Sequence, residues 1–330
     1  MFSSSHMYAL QLVAIIVVIS ASKMEDINRA ESSDIPGRTS KMPKEFKFSE
    51  NPTKVLSHTK NNVRHLKEKN ITEETNEISE DFHPKIINGR PAEEGEFPWM
   101  VALHYNDRYI CSSSLISPTL VLTAAHCVVF ENTAEPASAF YGIIGNLLRE
   151  GPQTRLTFSE LVAHPQYGSG SENDIAVFRV AERVQTSGLI KPICLPQSGR
   201  EFENIYVQAI GWGVTSNENG AAPPENLMTT ELQVPSLKAC QFFFAFLAIS
   251  ITDKHVCANS YRSTGVCFGD SGGPLVYDDP MSGNNVQIGV ASFVTFLGCG
   301  RPLVPNVYTA TAAYVDWLTE TVGENDICFV

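Results

Sequence analysis

An all-β domain with one terminal helix is what this chain predicts, and three observations carry the prediction. The first is a change of composition at Lys85. Beyond it, short apolar runs recur, many bounded by Gly, Pro or Asn: Trp99-Met100-Val101-Ala102-Leu103, Leu120-Val121-Leu122, Ile175-Ala176-Val177-Phe178, Ile205 to Ile210 and Val286-Gln287-Ile288-Gly289-Val290. Short runs punctuated by turn residues read as strands of a barrel or sandwich. The second is the last segment, Ala312 to Val322, where Val315, Leu318 and Val322 recur at helical spacing. The third is size: 330 residues at 43% hydrophobic content can bury one large core or two medium ones.

Taken in order, the elements begin with an uncharged apolar run from Tyr8 to Ala21, followed by small residues. It is short for a bilayer span, so residues 1–22 are expected to be a secretory signal peptide. No Lys or Arg precedes the run, and a signal anchor is the alternative. Residues 23–85 are rich in Lys, Glu, Ser, Asn and Thr, with few aromatics and no sustained apolar period, and are expected to be disordered. They hold the sequon Asn70-Ile71-Thr72, a glycosylation acceptor if the chain is secreted. Up to Lys85 acidic and basic side chains balance at twelve each, so the net charge of −12 falls on residues 86–330. An acidic surface argues against a nucleic-acid partner.

Eight cysteines, all beyond Lys85, imply disulfides in a secreted chain. No His-x-x-x-His or Cys-x-x-Cys pattern occurs, so neither a metal nor another cofactor is expected.

The chemistry lies in three blocks: Thr123-Ala124-Ala125-His126-Cys127, Asn173-Asp174-Ile175-Ala176 and Gly269-Asp270-Ser271-Gly272-Gly273-Pro274. An alcohol is a poor nucleophile at neutral pH. It needs a neighbouring base, and the base needs an orienting carboxylate. Taken singly, a core histidine, a strand-end aspartate and a turn serine would be unremarkable; all three blocks in the order His, Asp, Ser are not. From about Ile86 onward the sequence resembles the chymotrypsin/trypsin family of serine endopeptidases.

That resemblance implies two six-stranded antiparallel barrels and a C-terminal helix in residues 86–330. His126, Asp174 and Ser271 would be the catalytic triad in the cleft between them, with the Gly269 and Ser271 amides as the oxyanion hole. It makes residues 23–85 a propeptide. The junction His83-Pro84-Lys85-Ile86-Ile87-Asn88-Gly89 resembles an activation site, with Asn88 in place of the commoner Gly. A trypsin-like protease would cut after Lys85, and the new Ile86 amine would pair with Asp270. The resemblance also implies the disulfides Cys111–Cys127, Cys240–Cys257 and Cys267–Cys299. Cys194 and Cys328 remain and are expected to pair with each other; bonding to another molecule is the alternative.

Trypsin-like relatives carry Asp six residues before the nucleophile, at the base of the primary pocket; here Gly265 stands there, followed by Val266. The resemblance places Ser292, Phe293 and Val294 beside bound substrate, with Phe293 where Trp is usual, and Asn306 at a second wall. An uncharged floor with a Val wall implies apolar substrate side chains, elastase- or chymotrypsin-like rather than trypsin-like. Calcium-binding relatives have a carboxylate where Asn146 stands. Expected partners are protein or peptide substrates, the activating protease and serpin-type inhibitors, for a secreted, extracellular monomer. The alternative class is a catalytically silent homologue acting as a binding or cofactor protein. The run Phe242-Phe243-Phe244-Ala245-Phe246-Leu247 is expected to be a helix packed on the second barrel, or else an apolar lip.

Overall fold

A computed structural model describes residues 89–150, 154–168, 171–214, 223–262, 265–267, 269–295, 297–323 and 326–330. The segments expected to be a signal peptide and a propeptide, Asn70 and the Lys85–Ile86 junction lie outside the described residues.

The first half closes into an antiparallel barrel of six strands. The hairpin β2 (Met100–Tyr105) to β3 (Arg108–Ser117) turns at Asn106 and Asp107, both with positive φ (48° and 62°). Two successive left-handed residues match the twist of the flanking strands, and Asn and Asp tolerate that conformation best after glycine. β4 (Leu120–Thr123) is wholly buried. After the short pair β5 (Val129–Phe130) and β6 (Thr133–Ala134), the barrel continues with β7 (Phe140–Ile144), β8 (Thr154–Ala163) and β9 (Ala176–Val180). In β8, Leu156 and Phe158 point inward while Arg155, Thr157 and Ser159 face solvent, the period of two expected of a half-buried strand. The barrel is filled by Val101, Leu103, Leu120, Leu122, Phe140, Phe158 and Phe178, with Phe158 stacked on Phe178 at 4.3 Å.

The second half differs from the expected closed six-stranded barrel. Its strands are β10 (Ile205–Gly211), β11 (Met228–Val234), β12 (His255–Ala258), β13 (Pro274–Asp279), β14 (Asn284–Phe293) and β15 (Asn306–Ala310). With the two-residue β1 (Arg90–Pro91) they form a seven-stranded sheet ordered β1-β11-β10-β13-β14-β15-β12. The sheet curls until β11 meets Asn259, just past β12, through one reciprocal pair: Gln233 and Asn259 exchange backbone hydrogen bonds at 2.8 and 2.9 Å. β12 is only four residues long and pairs throughout with β15, and among the described residues that one bridge is its only hydrogen-bonded link to β11. Both strand prolines sit where no ladder donor is lost, Pro91 on an edge and Pro274 at a strand start.

The helix α1 (Leu237–Ala245) starts at Ser236, whose hydroxyl accepts from the Ala239 N–H at 3.2 Å. It carries the aromatic run. Phe244 is fully buried against Phe243 and Phe293, whereas Phe242 and Phe246 are exposed and meet edge to face. The helix α2 (Val315–Val322) buries Val315, Leu318 and Val322, as their spacing predicts, and ends at Gly323 with φ of 72°. Disulfides join Cys111 to Cys127, Cys194 to Cys328, Cys240 to Cys257 and Cys267 to Cys299. Among the described residues no helix is long and apolar enough to cross a membrane.

Candidate active site

β4 ends at Thr123, and the chain turns through one 3-10 turn, Ala125–Cys127, that presents His126. Ala125 and Cys127 are buried on either side of it, and the disulfide to Cys111 ties the turn back to β3. Opposite, Asp174 lies just before β9 and is 5% exposed. Its carboxylate meets His126 twice: Oδ1 accepts the His126 backbone N–H at 2.9 Å, and Oδ2 lies 2.7 Å from Nδ1. An ionised carboxylate can only accept, so Nδ1 carries the proton and Nε2 is left as an acceptor.

The second half of the fold holds Asp174 as firmly as the first. Ser292 on β14 donates to Oδ2 at 2.6 Å, and Thr309 on β15 donates to the Asp174 carbonyl at 2.8 Å. The preceding residue, Asn173, has φ of 65° and is fixed by Tyr314, whose hydroxyl accepts its N–H at 2.9 Å. Asp174 is thus locked at a seam between two sets of strands.

Ser271 sits in the tight segment from Cys267 to Pro274. The Ser112 amide of β3 donates to its carbonyl at 2.9 Å, and the Gly272 amide donates to Ala291 at 2.8 Å. Gly272 has φ of 75°, and a Cβ there would come within 2.2 Å of Thr123 Oγ1 and 2.5 Å of the Ser112 carbonyl. Only glycine lets the Ser271 turn press onto the strand that leads to His126.

Ser271 opens into a cavity of about 210 Å³ lined by Val266, Cys267, Ala291, Ser292, Phe293, Val294 and Val307. None of these side chains is charged. Of the residues expected there, Val266, Ser292, Phe293 and Val294 form the wall. Gly265 and the buried Asn306 lie against one another instead: a Cβ at Gly265 would stand 3.1 Å from Asn306 Nδ2 and 3.3 Å from the Gly300 backbone. Ala291 on β14 and Val307 on β15 also line the cavity; both lie in continuously buried runs, so no local pattern marks them.

Beneath Ser271, Asp270 is 1% exposed and has no cationic partner among the described residues. Oδ1 accepts the Gly213 N–H at 2.7 Å and Oδ2 accepts the Cys267 N–H at 2.8 Å. Burial pushes its pKa up to about 6 against these two donors. The space is cut to the carboxylate, since a Cβ at Gly213 would lie 2.4 Å from it.

Cys111, His126 and Cys127 place their ligand-type atoms within 4.8 Å, but both sulfurs are spent in the disulfide, so no thiolate faces the imidazole. Asn146 Oδ1 accepts from the Leu148 amide at 3.0 Å, closing a turn in its own loop.

This fold and these residues belong together in known proteins. The family model for trypsin matches residues 86–318, and the chain belongs to that family of chymotrypsin-like serine proteases. Among curated relatives, it is 33% identical to human transmembrane protease serine 11B over 72% of this chain and 56% of that protein. It is 32% identical to the CLIP domain-containing serine protease B4 of Anopheles gambiae over 72% of this chain and 70% of the relative. Clotting factor G beta subunit of Tachypleus tridentatus is 31% identical over 73% and 81% of the two chains. The chain therefore spans little more than half the length of the human relative.

Proposed function

We propose that this chain is a secreted serine endopeptidase, made as a zymogen and activated by cleavage after Lys85, that cuts protein substrates after apolar residues. The observations that carry the reading are the Asp174–His126 pair, with Oδ2 2.7 Å from Nδ1, and Ser271 at an uncharged cavity. Ser271 Oγ attacks the scissile carbonyl while its proton passes to His126 Nε2. The tetrahedral intermediate collapses as the C–N bond breaks and the proton moves to the leaving amine. Water, activated by the same imidazole, then hydrolyses the acyl-enzyme. Asp174 holds the tautomer and stabilises the imidazolium. The amides of Gly269 and Ser271 receive the developing oxyanion, and each such donor typically contributes about 3 kcal/mol.

Activation turns on Asp270. The new Ile86 amine enters beside a carboxylate whose burial otherwise favours its neutral form, and each charge then offsets the other's desolvation. A trypsin-like protease is the activator, which suits a chain whose relatives include a clotting factor subunit. No charged side chain lines the cavity, so an Arg or Lys side chain has no counter-charge there. Small to medium apolar side chains fit the Val266, Val294 and Val307 walls.

The test is a panel of peptide substrates varied at the residue before the cut, offered to the chain cleaved after Lys85. Preference for Ala, Val, Leu or Phe supports the apolar cleft. Preference for Arg or Lys overturns it while leaving the enzyme class standing.

A further inference from the structure

Tyr109 lies near the start of β3, outside the three sequence blocks that carry His126, Asp174 and Ser271, and nothing in the reaction outlined above uses it. Its ring is held on three sides. Trp212 meets it edge-on at 6.3 Å, His104 at 5.8 Å, and the Arg149 guanidinium lies 5.4 Å above it. Its hydroxyl lies 2.6 Å from the Gly269 carbonyl and 3.0 Å from Ser112 Oγ. A phenol has one proton, and the short contact to the carbonyl takes it; the Ser112 hydroxyl, 3.4 Å from the same carbonyl, has one proton to give to that carbonyl or to Tyr109. Burial raises the phenol's pKa well above its ordinary value, which keeps it a neutral donor.

The bond matters because of which peptide it holds. The plane joining Gly269 to Asp270 is fixed at both ends: its carbonyl by Tyr109, and its N–H by the Cys267 carbonyl at 3.0 Å. The amides of Gly269 and Ser271 flank that plane. Neither donates to another described residue, while the amides of Asp270, Gly272 and Gly273 all do. Gly269 has φ of 97°, a backbone conformation that glycine adopts at no steric cost. Releasing the carbonyl would let the plane turn and carry both flanking amides with it.

We infer that Tyr109 is a positioning residue for the oxyanion site, its hydroxyl bound to the Gly269 carbonyl so that the amides on either side stay aimed at the reacting oxygen. The inference rests on the endopeptidase reading above. It differs from substrate binding in that the aim of the amides counts only as charge develops on that oxygen.

The experiment compares the chain cleaved after Lys85 with its Y109F and S271A variants, using peptide anilides and a peptide boronate that mimics the tetrahedral state. Y109F is expected to lose about tenfold in kcat with KM within about twofold, and boronate affinity is expected to fall in step. Its melting temperature separates this from general loosening, which would move KM and stability together. Unchanged kcat in Y109F, beside an active wild type and an inactive S271A, overturns the inference and leaves the endopeptidase reading intact. An inactive wild type, or an S271A as active as wild type, defeats the parent reading and this one with it. Should Y109F fail to fold, 3-fluorotyrosine at position 109 makes a stronger donor on the same ring. A changed kcat at constant KM then supports the inference, and an unchanged kcat overturns it.

Discussion

Asp174 shows how one side chain is made to do one job. Its carboxylate takes a backbone N–H and a ring N–H from His126 and a hydroxyl from Ser292, all within 2.9 Å. Three donors on two oxygens leave little rotational freedom, and the imidazole inherits that rigidity. Ser292→Ala removes one of the three without touching the ring. The expected result is a loss of about tenfold in kcat with KM little changed, since one neutral-to-charged hydrogen bond typically contributes about 1.5–3 kcal/mol and its loss is felt only through orientation. Steady-state kinetics of the cleaved enzyme check it. The three blocks bearing His126, Asp174 and Ser271 were legible in the sequence because each has a distinctive local setting. Ser292 could be placed near substrate but not on Asp174, because that contact joins residues 118 positions apart. Tyr109 left no signal at all: its partner lies 160 positions away, and a tyrosine in a strand reads only as a fitting strand residue.

At the scale of elements, patterns with a fixed period were readable and edges were not. Short apolar runs bounded by turn residues mark strands of the first barrel, and the spacing of Val315, Leu318 and Val322 gives α2. The partial closure of the second sheet depends on where β12 stops, and no local pattern marks that. The aromatic run on α1 is a mixed case. Its dense phenylalanines foretold a packed helix, yet only Phe244 is fully buried, while Phe242 and Phe246 face out. Phe244→Ala is therefore expected to destabilise the protein by about 3–5 kcal/mol, the usual cost of emptying a buried aromatic site. Phe242→Ala should stay within about 0.5 kcal/mol. Denaturant unfolding of the two variants side by side checks the contrast.

For the molecule as a whole, the buried charge at Asp270 couples folding, activation and pH. Before cleavage its pKa is about 6, above the ordinary carboxylate value. The folded state then holds a proton that the unfolded state releases, so this group's contribution weakens as pH rises through about 6. Under the proposed activation, cleavage places the Ile86 amine beside Asp270 and reverses the sign. The pair pulls the carboxylate's pKa down and lifts the amine's above its free value of about 8. The stabilisation of the active form is then lost on the acid side as Asp270 takes up a proton, and on the alkaline side as pH rises through the raised amine value. A profile of kcat/KM against pH for the cleaved enzyme should show an alkaline limb that Ile86→Gly moves to lower pH. A limb at the same pH in both would count against the pairing. The Lys85–Ile86 junction was legible as a motif, but its pairing with Asp270 was an inference from resemblance; what the structure adds is an enclosed carboxylate with two backbone donors and no cationic partner among the described residues.

The most direct single measurement is covalent labelling of the full chain with a fluorophosphonate, before and after cleavage at Lys85, with the labelled residue located by mass spectrometry. The account predicts strong labelling of Ser271 only after cleavage, and its loss in His126→Ala. Equal labelling of the uncleaved chain would contradict the activation switch. No labelling of Ser271 despite a clean Ile86 N-terminus would contradict the nucleophile, and with it the central claim.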